Sequence, residues 1–251
     1  MTPTPDPSAP NRTELTSSLV LELEAELRAL ATPERAEHEK RYLKSELVHL
    51  GARVPDIDRL TRRLLKARVP REHGVTVALA EALWERGVHE LRMAAVDVLA
   101  ERVDLLSPAD LPLLERLLRE ARTWALVDGI APYVVGPLLA VNPEIETVVL
   151  RWADDPDFWL RRAALLTYLL PMRRGEAVHE RFAAVADRLL EDREFFVRKA
   201  IGWVLRERSK KLPDEVFTWL APRRARASGL TLREAGKYLS EAQRLHLLGK
   251  A

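Results

Sequence analysis

One sequence pattern recurs along this chain at a nearly constant spacing, and that spacing limits the possible folds more than any other feature. FWLRRA at residues 158–163 is matched by FFVRKA at residues 195–200. Together with two weaker copies, the related segments start at positions 91, 126, 160 and 197, with steps of 35, 34 and 37 residues. This period is typical of stacked helical repeats, in which corresponding positions line up on one surface. One such position is occupied in turn by Met93, Asp128, Arg162 and Lys199.

The residue usage favours helices throughout the chain. Leu, Ala, Arg and Glu are good helix formers and dominate the sequence, whereas only 10 of the 251 residues are glycine. Because such repeats bury their apolar faces against neighbouring repeats, we predict an all-α fold, a helical-repeat α-solenoid with a concave inner face. A single domain is predicted over residues 13–251, after a Pro-rich, disordered tail at residues 1–12. The predicted helices include one from Pro33 to about Val48 and an unbroken one over residues 157–170.

Several classes of site and location are not expected. The absence of cysteine excludes disulfides, zinc fingers and cysteine-bound iron–sulfur clusters. The six histidines are scattered, without an HExxH motif or a close pair of metal ligands, so we expect no metal and no cofactor. No apolar run reaches membrane length in this reading, and the N-terminus lacks a hydrophobic signal core. We therefore expect a soluble, cytoplasmic monomer with no membrane partner.

The charge is distributed unevenly along the chain. Residues 151–251 hold 21 Lys and Arg against 14 Asp and Glu, a balance of +7, whereas residues 1–150 hold 19 against 24, a balance of −5. A basic C-terminal half indicates a polyanionic partner such as nucleic acid. The alternative is an ordinary Arg-rich, solvated helix surface.

The helical spacing brings a chemically distinctive set of side chains together. Trp124 lies four residues before Asp128, and Lys199 lies four residues before Trp203, so each pair shares one helix face. A carboxylate beside indole rings can stabilise a developing oxocarbenium ion and orient the attacking water. Arg162 and Lys199 can hold phosphates. Such a set has the chemistry to cleave a glycosidic bond while its two cations hold phosphates.

Each of these residues also has a structural interpretation. Tryptophan in a helical repeat is often a core residue, and an aspartate such as Asp128 can cap or pair within the fold. Arg162 and Lys199 can form ion pairs between stacked repeats. The functional interpretation depends on the shared repeat position and not on any one residue.

The same segments resemble a known protein family. WALVD at 124–128, WLRRAA at 159–164 and FFVRKAIGWVLRE at 195–207 resemble the AlkD-like DNA alkylation repair proteins. The segment containing AIGWVLRE is fairly specific, and the similarity covers roughly residues 30–240. RYLK at 41–44, LG at 50–51 and LREA at 232–235 are similar too.

This resemblance implies a HEAT-like repeat fold whose concave face binds DNA, and a monofunctional DNA glycosylase activity in base-excision repair. The implied substrates are cationic alkylated purines of the N3-methyladenine and N7-methylguanine type in duplex DNA. Asp128 matches the catalytic carboxylate, and Trp124 and Trp203 match two tryptophans that contact the deoxyribose of the lesion. The residues expected to bind DNA are Tyr42, Arg162, Lys199 and Arg206.

Two other functions remain open at this point. A non-catalytic HEAT-repeat protein that grips damaged, bent or branched DNA would carry the same basic half. A protein scaffold could instead use the groove to bind a peptide. Asp128 between two tryptophans favours the enzyme, and release of alkylated purine from methylated duplex DNA distinguishes the three.

Overall fold

The computed structural model describes residues 12–249 of the chain. Over these residues it contains α-helices, short 3-10 segments and one π-helical turn, and its β-structure is limited to an isolated bridge between Val48 and Val88. The predicted all-α class is confirmed. The chain divides into two compact units, Met1–Leu106 and Ser107–Ala251. The single domain predicted from residue 13 stays a prediction, and the predicted tail lies outside the described residues apart from Arg12, where the first helix begins.

The described residues of the first unit form five α-helices: α1 (Arg12–Leu30), α2 (Pro33–Leu43), α3 (Val54–Arg68), α4 (His73–Trp84) and α5 (His89–Glu101). Helices α1 and α5 each pack against both α3 and α4. The reason is visible in α1, where apolar residues three or four positions apart form one buried stripe. Helix α2 differs from the others because none of its side chains is fully buried.

A partly buried aspartate on α5 introduces a pH-dependent element into this unit. Burial, with a smaller contribution from the carboxylates of Asp58 and Glu101, raises the pKa of Asp97 to about 7. Arg62 opposes this shift, but its guanidinium is shared between Asp58 and Glu101 at 2.9 Å each. The folded unit therefore favours a protonated Asp97 near neutral pH.

We expect Asp97→Asn to stabilise the protein at pH 8 more than at pH 5. A carboxyl with a raised pKa retains its proton in the folded state, so its contribution to stability falls as the pH rises from about 4 to about 7. Asparagine does not ionise, so the variant avoids this loss of stability. A gain of about 1 kcal/mol corresponds to a rise in Tm of roughly 2–4 °C. Thermal melting at both pH values measures it, with the exposed Asp104→Asn as control. An equal change in Tm at the two pH values would contradict the prediction.

The second unit is built from two series of helices that alternate along the chain. In the first series, α6, α9, α12 and α14 begin at residues 111, 146, 179 and 213. In the second, α7, α10, α13 and α15 begin at residues 124, 158, 195 and 229. Helix α6 packs on α7, α9 on α10, and both α12 and α14 on α13. The observed steps of 34 and 37 residues between α7, α10 and α13 confirm the predicted repeat. The bounds of the first series are Leu111–Ala121, Glu146–Ala153, His179–Leu189 and Pro213–Leu220, and those of the second are Trp124–Ile130, Phe158–Leu166, Phe195–Ser209 and Gly229–Ala235.

Shorter segments complete this unit. Helix α7 continues through the π-helical turn Ala131–Val135 into α8 (Gly136–Val141). Helix α11 (Leu169–Arg174) follows α10, and α16 (Glu241–Leu248) is the last described helix.

Neighbouring repeats of the second unit are joined by arginine–carboxylate pairs. Each pair spans close to one repeat along the sequence, so each arginine binds the equivalent region of the next or previous repeat. The cations of the basic half are therefore used in large part for repeat stacking, which matches the structural alternative noted for the charge asymmetry. Four such pairs are Arg151–Glu115, Arg173–Glu207, Arg181–Glu146 and Arg223–Asp187, with separations of 36, 34, 35 and 36 residues.

Two helix predictions need correction. The helix predicted over residues 157–170 ends at Leu166, and a separate helix begins at Leu169. Pro171 has no N–H to donate to the carbonyl of Thr167, so the chain turns there. The helix predicted from Pro33 to about Val48 ends at Leu43, because Lys44 adopts a left-handed conformation with φ of 50°.

One apolar helix is longer than the sequence analysis predicted. Trp124–Val141 is long and apolar enough to cross a membrane by length and composition, which corrects the expectation that no run reaches that length. Within the described part of the chain, 56% of this window is buried inside the protein. Core helices of soluble proteins pass the same test, so the segment is weak evidence for a membrane span.

Candidate active site

The site is built around Asp128, which lies on α7, the first helix of the second series. Helix α7 begins at Trp124, so Asp128 lies one helical turn further along the same face. The π-helical turn that follows at Ala131–Val135 contains Pro132, a residue that an uninterrupted α-helix does not tolerate well. Such π-turns are frequent near functional sites. The side chain of Asp128 remains 15% exposed, and Trp124 is partly exposed as well.

A buried arginine holds the carboxylate of Asp128 from the next repeat. Arg162 Nε donates to Asp128 Oδ1 and Arg162 Nη2 donates to Asp128 Oδ2, both at 2.8 Å. Arg162 Nη1 donates to the backbone carbonyl of Phe196 at 2.6 Å. The side chain of Arg162 is 2% exposed. One guanidinium thus connects α7, α10 and α13 and fixes the orientation of the carboxylate.

The surroundings of Asp128 act on its pKa in opposite directions. Burial has the largest effect and raises the pKa of the carboxyl above its ordinary value. The hydrogen bonds and charge of Arg162, and the charge of Lys199, lower it. The net direction is upward, so the ionised form depends on these two cations.

Aromatic rings pack beside the ion pair. Phe196 lies 5.1 Å from Trp159 and 5.3 Å from Phe195, measured between ring centroids. The guanidinium carbon of Arg162 stands 5.8 Å from the centroid of Phe196, and Lys199 Nζ stands 5.8 Å from that of Phe195. These rings limit the access of water to the guanidinium, while Lys199 itself is exposed.

Helix α13 carries three of the predicted site residues, Lys199, Trp203 and Arg206. Trp203 is partly exposed and lies one turn beyond Lys199. A Cβ at Gly202 would meet Glu234 Cβ at 2.6 Å, so this glycine allows α15 to pack closely against α13. Glu234 then pairs with Arg206, whose side chain is 25% exposed.

The structure brings some of the predicted residues together and changes the role of one. Asp128 and Arg162 are in direct contact, and Lys199 acts on Asp128 through its charge. Arg162 was expected to contact DNA, but its guanidinium is buried and bonded to Asp128 and Phe196, so it positions the carboxylate instead. Arg206 is partly engaged by Glu234. The catalytic and DNA-binding roles of the remaining residues stay predictions.

Tyr42 belongs to the first unit, at the end of α2. Its ring is 67% exposed and stacks on His38, with 6.4 Å between centroids and an interplanar angle of 7°. An exposed, stacked aromatic suits contact with a nucleotide. Its predicted DNA contact is compatible with this exposure.

Sequence reasoning missed the contribution of Phe196. Its backbone carbonyl accepts from Arg162, and its ring lies under the guanidinium. The only available signal was the repeat itself, since Phe196 occupies the position equivalent to Trp159. Among the described residues, a group with metal-ligand geometry lies in the first unit, at Glu39, His49 and Glu90.

Comparisons with known proteins concern the family and the fold of the chain. The model of a family described as DNA alkylation repair enzyme matches residues 23–239. A solved structure described as a predicted DNA alkylation repair enzyme from Enterococcus faecalis is similar with a TM-score of 0.73 and 24% identity, over 84% of this chain and 97% of that one. The structure of smu.31 from Streptococcus mutans UA159 is similar with a TM-score of 0.53 and 16% identity, over 92% and 100%. At these identities the two structures show the shared fold alone. No curated protein matches the chain.

Proposed function

We propose that this chain, which belongs to the DNA alkylation repair enzyme family, is a DNA glycosylase that excises cationic alkylated purines of the N3-methyladenine and N7-methylguanine type from duplex DNA. The observation that supports this activity is the setting of the Asp128 carboxylate. It is partly exposed to solvent, and each of its two oxygens accepts a hydrogen bond from the buried Arg162. A carboxylate fixed in this way is prepared for charge that develops on a sugar during the reaction.

The proposed reaction is hydrolysis of the N-glycosidic bond. As the bond to the base breaks, positive charge develops on the deoxyribose, and the carboxylate of Asp128 stabilises it. The same carboxylate orients the water that adds to the sugar carbon, and the proton that this water loses passes to the solvent. The departing base takes the electrons of the broken bond, and a neutral alkylated purine is released. The partly exposed indoles of Trp124 and Trp203 provide apolar surface for the sugar.

The arginine at the site explains why the substrate should be cationic. A neutral purine needs a proton from a general acid to leave. Arg162 contacts Asp128 directly, but a guanidinium does not release its proton in proteins, so it cannot serve as that acid. An N3- or N7-alkylated purine already carries a positive charge and needs no such acid. The site therefore suits leaving groups that are cationic before the reaction begins.

A second function is favoured by the same ion pair. A buried arginine bonded to a carboxylate is also a common structural contact between repeats, as the other arginine–carboxylate pairs of this unit illustrate. A non-catalytic repeat protein that binds damaged, bent or branched DNA would keep this pair for stability alone.

Release of the damaged base distinguishes the two functions. Duplex DNA treated with a methylating agent is incubated with excess protein, and free 3-methyladenine and 7-methylguanine are quantified over time. Time-dependent release above a no-protein control supports the glycosylase. Tight DNA binding without release supports the non-catalytic function.

We expect binding to duplex DNA to depend strongly on salt and only weakly on sequence. The basic balance of residues 151–251 and the exposed Lys199 favour phosphate contacts, which release counterions from DNA. Affinity should fall by roughly ten-fold or more between low and physiological salt. Fluorescence titration at several salt concentrations, with two unrelated duplex sequences, measures both effects. A flat salt response would remove nucleic acid as the partner.

A further inference from the structure

Three potential metal ligands converge in the first unit, well separated along the sequence. Glu39 lies on α2, His49 lies in the segment after it, and Glu90 lies on α5. One ligand atom from each residue lies within 4.8 Å of the other two. Imidazole and carboxylate are ligands that zinc and related divalent ions accept together.

The histidine of this group lacks the hydrogen bonds that a buried imidazole needs. Both ring nitrogens of His49 are shielded from solvent and have no hydrogen-bond partner among the described residues. Nδ1 of the neighbouring His89, which is 3% exposed, has none either. Buried polar atoms without a partner are rare, and an ion bound here would give the imidazole of His49 a partner. His49 also lines a surface cleft beside Ala31, Pro33 and Val48, which provides an entry path.

Each of the three ligands is already oriented by a second interaction. Glu90 Oε1 accepts from the backbone N–H groups of Leu50, Gly51 and Ala52, at 3.0, 2.6 and 3.3 Å. The ring of His49 stacks on His89, with 4.4 Å between centroids and an interplanar angle of 13°. Glu39 is held by Arg35 at 2.7 Å. Metal sites characteristically have such outer contacts, which fix the ligands before the ion binds.

An ion at this position would have a structural role in the first unit. Helix α2 buries no side chain fully, so apolar packing contributes little to holding it on the unit. A bound ion would connect α2, through Glu39, to the fully buried Glu90 on α5. A structural ion can replace the missing core, as it does in small domains.

We propose that Glu39, His49 and Glu90 bind a divalent transition-metal ion of the zinc class, which fixes α2 to the rest of the first unit. This proposal departs from the expectation from the sequence that the chain binds no metal. It is independent of the proposed glycosylase activity. Water or a fourth group completes the coordination, since three protein ligands leave a tetrahedral position open.

Isothermal titration of the full chain with ZnCl₂ tests the site, after treatment with a chelator and dialysis. We expect one ion per chain, and for His49→Gln a loss of affinity on the order of ten-fold or more. Glu39→Gln should weaken binding similarly. MgCl₂ should give little heat, because imidazole does not suit that ion. Cobalt provides a second readout, since Co²⁺ in a four-coordinate site absorbs visible light.

Matched controls come from the same helix. Glu34→Gln and His38→Gln remove an exposed carboxylate and an exposed imidazole from α2 outside the cleft and without touching the three ligands, and both should bind zinc like the original chain. Lys40→Met should strengthen binding, because the positive charge of Lys40 acts on His49. Circular dichroism confirms that each variant is folded. Absence of zinc binding by the original chain, or equal binding by the His49→Gln variant, would overturn the proposal and indicate that water satisfies the ring nitrogens.

Discussion

Asp128→Asn should reduce the release of 7-methylguanine by about 100-fold or more, because the substitution removes one preorganised charge from the reacting sugar. Asparagine has nearly the same size and keeps one oxygen, so the surrounding packing is retained. The lost quantity is the negative charge that stabilises the oxocarbenium ion. Single-turnover release from methylated duplex DNA measures the chemical step without a contribution from product release.

Binding should change in the opposite direction. Removing an anion from a surface that faces phosphates reduces repulsion, so duplex affinity should stay the same or increase. The structure adds a cost to stability, because the new amide N–H group would face a donor nitrogen of Arg162 where a carboxylate oxygen accepted before. An unmade hydrogen bond of this kind costs about 1–3 kcal/mol. Both proteins are therefore compared at a temperature where melting curves show them fully folded.

A control isolates the catalytic role from the loss of an ion pair. Glu115 accepts from Arg119 and Arg151 in the same unit, so Glu115→Gln also removes a carboxylate that joins two repeats. We expect this control to lose stability and to retain excision. Unchanged release by the Asp128→Asn variant would reject the catalytic assignment and leave the DNA-binding function.

Arg162→Met should destabilise the protein by about 3–5 kcal/mol, since it leaves the carboxylate of Asp128 partly buried without its partner. The double variant with Asp128→Leu should recover much of that loss, because replacing both members of a buried pair by apolar side chains is often neutral. Chemical denaturation of the four proteins in this cycle gives the coupling energy. Equal stability of the Arg162→Met variant and the original chain would show that the pair does not hold the repeats together.

The same variant also tests how Arg162 affects the reaction. Arg162 lowers the pKa of Asp128 against the effect of burial, so its removal raises that pKa further. The acid limb of the pH–rate profile should then move to higher pH, and part of the lost excision should return as the pH is raised. A residue that supports the fold alone would lower the rate equally at every pH. Excision at several pH values, below the melting temperature of the variant, separates these results.

The repeat period allowed much of this unit to be predicted from sequence. Similar segments spaced by about one repeat located α7, α10 and α13, and the i,i+4 rule placed Trp124 with Asp128 on one face. The register also put Asp128 and Arg162 at equivalent positions, and the structure shows them in contact. A regular array transfers local information over long distances, because each repeat has the same neighbours.

What the sequence could not provide was the exposure of each position. Arg162 and Lys199 are equivalent in the repeat, yet one is 2% exposed and the other lies on the surface. The difference arises because Arg162 has a repeat on each side that supplies an acceptor, Asp128 on one and Phe196 on the other. The sequence also did not reveal the cluster of Glu39, His49 and Glu90. These side chains come close together because of the path taken by a segment outside the repeat pattern, which no sequence period predicts.

The link between Asp128 and Arg162 makes the protonation of this carboxylate depend on the distance between two helices. The carboxylate belongs to α7 and the guanidinium to α10, and two hydrogen bonds of 2.8 Å join them. Any increase in the distance between α7 and α10 would lengthen both hydrogen bonds at once, weaken the interaction with the guanidinium and raise the pKa of Asp128 further. The spacing of these two helices and the ionisation of Asp128 are therefore coupled.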